Sequence, residues 1–555
     1  MIVFRLLGLL FDLFRAPSRF FGRRTVPGTW LEVTVDGPVV DVLPKPSFLG
    51  LRLRAEKALS LARVDELVTK MIAEPNVAGL LVTLKSMKTG MAGASSLRAI
   101  LARARRGGKE VVVYLPVGGD TKDVYVASVA SKVLLGPSAQ LAPLGFRAAS
   151  RYYKRALDKA GVEPQVFSCG EFKSAGETLV RESMSEPQRE QVSRLLETFH
   201  ATVVDAIASG RALSRDRAVQ LVDEGPFFGR AAVEAKLADD VAYEDEVQAR
   251  IGSKKRPIPG GAWLLARAPL FRSIGRKPII AVIPIHGAIT HAGGALGGIS
   301  TDERVNRMIR LARKNPRVKG VILHIDTPGG SALASDLMHH EIAQLGREKP
   351  VVACMANVAA SGGYYVAAPA KRIVAQPTTI TGSIGVVAAR VSLEPLLAKL
   401  GIRTEVVARG ARSALLGGMG PLDEDDRRAI QRELDAMYNA FVNVVATGRG
   451  RPVAEIEPLA RGRVYTGKDA LDLGLVDALG GFDVALTEMH QLAPGTVGAD
   501  VVVMRAPRGH VDLVDPPKQA ARMILGAVLP ERERLLVELA AGGERALALS
   551  LVEVP

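Results

Sequence analysis

Cysteine is nearly absent. Cys169 and Cys354 are too few for a disulfide framework, and neither stands in a metal-ligand spacing. Aromatic residues make up only 5% of the chain, with no zinc-finger spacing and no aromatic-rich basic stripe, so nucleic acid is not an expected partner. The N-terminal apolar run from Met1 to Phe14 is too short to span a bilayer comfortably and is interrupted by Arg5 and Asp12. A basic leader and a small-x-small cleavage site are also missing there, which argues against a cleavable signal peptide.

What is present points to a large globular protein. The 555 residues exceed one ordinary domain, and 48% hydrophobic content can fill several cores. A net charge of +15 favours anionic partners, and with nucleic acid set aside an anionic lipid surface is expected. On a helix Arg5, Gly8 and Asp12 share one face, and Arg15, Arg19, Arg23 and Arg24 follow. This pattern suits an interfacial membrane helix; it also suits a helix packed on the protein itself.

The chain repeats at an offset of about 240 residues. "YVASVASKVLLGPSAQLAPLG" from Tyr125 lies without gaps on "YVAAPAKRIVAQPTTITGSIG" from Tyr365, and further matches follow in the same order. Each copy alternates short β-branched runs with helical stretches, which implies parallel sheets with right-handed crossovers. In the second copy "IIAVIPIHG", "GVILHID" and "PVVACMA" read as strands, and "TDERVNRMIRLARKNP" as a helix capped by Thr301. The expected divisions are a membrane-associating segment 1–28, a first repeat 29–251, a linker 252–278, a second repeat 279–494 and an extension 495–555. The apolar "AWLLARAPLF" within the linker suits docking on a domain or on a membrane.

"NVAASGGYYVAAPAKRIV" places Ser361 between a strand and a helix. Serine there serves as an N-cap or as a nucleophile beside backbone N–H donors. The first copy has Thr121-Lys122-Asp123 where the second has Ser361-Gly362-Gly363, and "TLKSMKTG" where the second has "HIDTPGGS". Both parts of an acyl-transfer site therefore sit in copy two. His324 and Asp326 are neighbours on one strand face, which does not build a Ser–His–Asp relay. A second candidate base lies in copy one, where Lys173 faces Arg412 of copy two. Lysine becomes a base when burial lowers its pKa, whereas arginine keeps its proton.

With "AASGGYY" at Ala359–Tyr365, "TGSIG" at Thr381–Gly385, "DTPGGS" at Asp326–Ser331 and "GEFKSAGE" at Gly170–Glu177, the chain resembles the long, tandem-repeat form of signal peptide peptidase A. The resemblance covers roughly residues 30 to 490. It implies two tandem Clp/crotonase-like α/β repeats with additional helices, and a Ser–Lys serine protease. By the same resemblance Ser361 is the nucleophile, Lys173 the general base and Ser383 the residue that orients it. The N–H groups of Gly330 and Gly362 form the oxyanion hole. No metal or organic cofactor is implied. The implied partners are signal peptides left after cleavage, membrane lipid and further copies of the chain as a tetramer, at the inner membrane. An acyl-CoA enzyme on the same scaffold and a catalytically silent membrane scaffold are the alternatives.

Overall fold

The computed structural model describes residues 25–43, 58–268, 277–291, 299–405, 407, 409–410, 412–413, 415, 422–505 and 547–549. The N-terminal residues 1–24 and most of the 495–555 extension lie outside them.

Two α/β units follow one another. In the first, β1 (Thr29–Val40), α1 (Leu61–Ile72), β2 (Val77–Lys88), α2 (Met91–Arg106), β3 (Glu110–Leu115), α3 (Thr121–Ala127) and β4 (Lys132–Leu135) alternate. Strands β4, β3, β2 and β1 are neighbours in that order in a seven-stranded parallel sheet. Consecutive residues Val111, Val112 and Val113 are all buried, as a sheet covered on both faces requires of its strands. Beyond this sheet run β5 (Glu163–Cys169) and the long helix α4 (Glu186–Gly210), whose first turn is capped by Ser185 Oγ accepting from Gln188 N.

The expected linker is partly built into this unit. Ile258–Pro259 pairs with β1, and α5 (Gly260–Ala266) buries Trp263 and Leu264 in the first core. The apolar segment at Trp263 therefore docks on the protein.

The second unit contains β6 (Ile279–His286), α6 (Asp302–Lys314), β7 (Val318–Thr327), β8 (Gly329–Ser331), α7 (Ala332–Glu348), β9 (Val351–Ala360) and α8 (Gly362–Ala367). It continues through β10 (Arg372–Ala375), β11 (Ile380–Gly382), β12 (Val386–Ser392), α9 (Glu424–Arg449), β13 (Val464–Thr466), α10 (Phe482–Leu492) and β14 (Asp500–Val503). Its main sheet has the order β13, β11, β9, β7, β6, β14, with β10 alongside β9. Thr301 caps α6 through a bond from Arg304 N, Asp302 and Glu303 follow in the first turn, and Arg313 and Lys314 close the last, each charge complementing the helix dipole. Ile280, Val282, Ile322, Val352 and Val374 are buried with Phe482 of α10, at about 1.5–3 kcal/mol per side chain before entropy is subtracted.

Strand β9 is longer than the sequence pattern implies, because it changes partners midway. Ile325 pairs with Met355 but Thr327 pairs with Ala359, so β9 carries a bulge of two extra residues. Before it, Val352–Met355 pair with β10; after it, Val358–Ala360 pair with β11.

A third sheet joins the units. It contains β8, then β15 (Leu547–Leu549), then β12, then β5 of the first repeat. Strand β5 runs antiparallel to β12 from Cys169↔Val386 to Glu163↔Ser392.

Candidate active site

Ser361 stands where β9 ends and α8 begins, with φ 57° and ψ −115°. A non-glycine residue in such a conformation costs about 1–3 kcal/mol. The strain is held by Ser361 N donating to Gly382 O at 2.8 Å and Tyr365 N donating to Ser361 O at 2.9 Å. Ser361 occupies the N-cap position, but its hydroxyl makes no capping bond. That hydroxyl lies 2.7 Å from Lys173 Nζ.

Lys173 follows β5 by four residues, and several contacts fix it across the repeat boundary. Gly170 has φ 98°, and a Cβ there would lie 2.2 Å from the Arg461 carbonyl carbon, so only glycine fits. Phe172 N donates to Arg461 O at 3.0 Å, and the Arg463 guanidinium stacks 3.6 Å above the Phe172 ring. Gln191 of α4 donates to Phe172 O at 3.0 Å and accepts from Val464 N at 3.2 Å. Lys173 Nζ also meets Ser383 Oγ at 2.9 Å and Ser383 O at 3.0 Å. Ser383 is itself at φ 52°, anchored by its N–H to Arg463 O at 2.7 Å.

Relative exposure is 4% for Lys173, 0% for Ser361 and 2% for Ser383. Burial pushes the Lys173 amine well below its ordinary value, and no carboxylate offsets it. Gly330 and Gly362 lie side by side: a Cβ on Gly362 would sit 3.4 Å from Gly330 N. Gly330 has φ 153°, and a Cβ on it would collide with Ile289 O at 2.0 Å.

The matched positions of the other copy differ. Thr121 starts α3, where Asp120 caps Lys122 N and Asp123 N, and the Thr121 hydroxyl donates to Gly145 O at 3.3 Å. Arg412 is exposed. Among the described residues no group of three or more His, Cys, Asp or Glu is arranged to hold a metal ion.

His324 and Asp326 face away from a serine relay. His324 Nε2 bonds to Asp41 Oδ2 at 2.7 Å, and its Nδ1 to His286 Nε2 at 2.7 Å. Burial works against the charged ring, but the bond and charge of Asp41, with the charge of Asp326, hold His324 above its ordinary value. Burial and that cation push His286 down to about 4. Asp41 belongs to the first repeat and His324 to the second, so the pair clamps the two together.

This clamp has a defined pH sign. A raised histidine stabilises fully below its unfolded value of about 6.5, and the contribution is lost as pH rises through the raised folded value. Asp41→Asn is therefore expected to cost about 3 kcal/mol at pH 6 and less at pH 9, measured by chemical denaturation of both proteins. Equal losses at both pH values would contradict the clamp.

The sequence contained no signal for Asp41, Gln191 or Gly462 beyond residue type. Gly462 matters because a Cβ there would lie 2.6 Å from Lys173 Cβ.

Known proteins match the chain in both repeats. The model of peptidase family S49 matches residues 103–256 and again residues 343–494. The chain is 32% identical over 520 residues to "Serine protease SPPA, chloroplastic" of Arabidopsis thaliana, covering 90% of this chain and 75% of that one. It is 33% identical over 436 residues to "Protease 4" of Salmonella typhi, covering 75% and 69%. A solved ClpP1 mutant from Listeria monocytogenes aligns over 37% of this chain and 94% of its own, at 17% identity and a TM-score of 0.24. The molecule is thus a tandem-repeat serine peptidase of α/β fold. It belongs to peptidase family S49, with signal peptide peptidase A relatives over most of its length. A peptidase, rather than an acyl-CoA enzyme or a silent scaffold, is the reading the family supports.

Proposed function

We propose that this chain is a membrane-associated serine endopeptidase with a Ser361–Lys173 dyad that degrades cleaved signal peptides and similar apolar peptides. The observation that carries this reading is the 2.7 Å approach of Lys173 Nζ to Ser361 Oγ in a buried pocket. A neutral amine has two N–H bonds and one lone pair. Ser383 O and Oγ take the two N–H bonds, which leaves the lone pair for the Ser361 proton.

Ser361 Oγ then attacks the peptide carbonyl as its proton passes to Lys173. The N–H groups of Gly330 and Gly362 hold the oxyanion. Lys173 returns the proton to the leaving amine, and later takes one from the water that hydrolyses the acyl-enzyme. Ser383 orients the amine and makes no bond to substrate.

The substrate would lie extended in the slot between β8 and β12. Strand β15 supports this reading, since Leu547–Leu549 pairs antiparallel with Ser331–Gly329 and Leu547 also pairs with Val387. An extended peptide adding to a sheet edge draws its affinity from the same backbone bonds. Hydrolysis of a peptide library is expected to show endoproteolytic cuts in apolar sequences, and a library left intact by the folded protein contradicts the function. Deletion of residues 547–555 removes a tethered competitor and is expected to lower KM at least about threefold. An unchanged KM contradicts the slot.

Residues 1–24 are the proposed membrane contact, on the inner membrane, with the chain assembled as a tetramer. Among the described residues no helix is long and apolar enough to cross a membrane. Removing 1–24 is expected to weaken co-sedimentation with anionic liposomes about tenfold or more while hydrolysis in solution persists. Unchanged co-sedimentation rules this contact out.

A further inference from the structure

The nucleophile and one oxyanion donor, Gly330, arrive on two different strands, while the other donor, Gly362, follows Ser361 directly. Ser361 comes at the end of β9, and Gly330 comes on β8, directly after β7. Their relative position must be held to a fraction of an ångström, since a misplacement of about 1 Å costs roughly a hundredfold in rate. Strand β9 makes this difficult, because it is bulged a few residues before Ser361.

One half-buried side chain sits where the two paths meet. Asp326 Oδ1 accepts from Val358 N at 3.1 Å, and Asp326 Oδ2 accepts from Asn357 Nδ2 at 3.3 Å, so the carboxylate closes the bulge from inside. The Asp326 backbone carbonyl accepts from Gly287 N at 2.9 Å, which fixes the end of β7 against the end of β6. The next residue, Thr327, pairs with Ala359 and accepts from Gly329 N at 3.0 Å through its hydroxyl, leading straight to Gly330. The bulge is also tied to the other repeat, because Asn357 Oδ1 accepts from Gly93 N of α2 at 3.3 Å. A cavity of about 280 Å³ lies between the repeats at this point, lined by Asp41, Gly93, His324, Asp326 and Asn357 among others. Packing alone therefore does not hold the bulge.

We propose that Asp326 is a positioning residue: its carboxylate caps the β9 bulge and thereby sets Ser361 and Gly362 against the Gly330 donor of β8. The inference rests on the reading of Ser361 as nucleophile. Beyond the bulge Ala359 and Ala360 are paired on the β11 side to Thr381 and Gly382, so a shift at Val358 is transmitted to Ser361 along a braced strand.

The test compares Asp326→Ala and Asp326→Asn with wild type in peptide hydrolysis and in the rate of Ser361 labelling by a fluorophosphonate, located by mass spectrometry. Asp326→Ala is expected to lower kcat about a hundredfold with KM within about threefold, and to slow labelling in parallel. Asp326→Asn keeps an acceptor for Val358 N–H and is expected to stay within about fivefold of wild type. A purely structural role would lower the unfolding midpoint and leave kcat of the folded protein untouched, and that result overturns the proposal. Should Asp326→Ala not fold, Asn357→Ala decides, with a fall in kcat of about tenfold expected and an unchanged kcat overturning the proposal. Wild type unlabelled at Ser361 overturns the nucleophile reading and this inference with it. Labelling at Ser361 at equal rates in wild type and Asp326→Ala overturns this inference alone.

Discussion

Ser361→Ala is expected to reduce peptide hydrolysis by about 10⁴-fold or more without unfolding the protein. The hydroxyl makes no helix-capping bond, so its loss does not expose an orphaned N–H. Alanine keeps the Cβ and hence the same backbone cost at φ 57°. Lys173 retains both contacts to Ser383. A serine acting only as an N-cap would show the opposite pattern, a loss of about 1 kcal/mol in stability with activity intact. Turnover retained in a folded Ser361→Ala protein would end the assignment.

Lys173→Ala is expected to lose about 10³-fold in kcat, and Lys173→Arg should fail as well. Arginine cannot surrender its proton in a protein, so it leaves Ser361 without a base. It also brings a wider planar head into a site so close-packed that even a Cβ on Gly462 would lie 2.6 Å from Lys173 Cβ. Arg412→Ala, at the matched position of the second repeat, should leave activity within about threefold, because Arg412 is exposed and surface substitutions are mild. Ser383→Ala removes one hydrogen bond to the amine but not the backbone carbonyl bond, and should cost about tenfold. Wild-type turnover in Lys173→Ala would exclude the dyad.

The alternation of strands and helices, the cap at Thr301 and the strand-to-helix junction at Ser361 were legible in sequence, because each depends on residues close in the chain. The repeat comparison made Lys173 visible, since only the divergence of two copies distinguishes a buried lysine from a surface one. The bulge was not legible. Ala356, Asn357, Ala359 and Ala360 are weak strand formers, and the strand persists there only because Asp326 and two different neighbouring strands hold it. The Asp41–His324 clamp was equally hidden, because its partners are 283 positions apart and meet only when the repeats dock. The docking of the linker on the first repeat was hidden for a similar reason. Trp263 and Leu264 sit in a Gly- and Pro-rich stretch, and their burial depends on a surface of the first repeat that periodicity does not describe.

Assembly of one site from two repeats is tested most directly by the pH dependence of Ser361 acylation by a fluorophosphonate, in wild type and in Lys173→Ala. A lysine base acts only when neutral, and burial lowers the pH at which Lys173 loses its proton. The wild-type rate should therefore rise with pH through a single apparent pKa well below the ordinary lysine value of about 10.4, then level off. Lys173→Ala should react about 10³-fold more slowly and lack that rise. Labelling of Lys173→Ala at the wild-type rate, or a wild-type profile already flat from about pH 5, where even a strongly shifted lysine is mostly protonated, would contradict a base supplied by the first repeat.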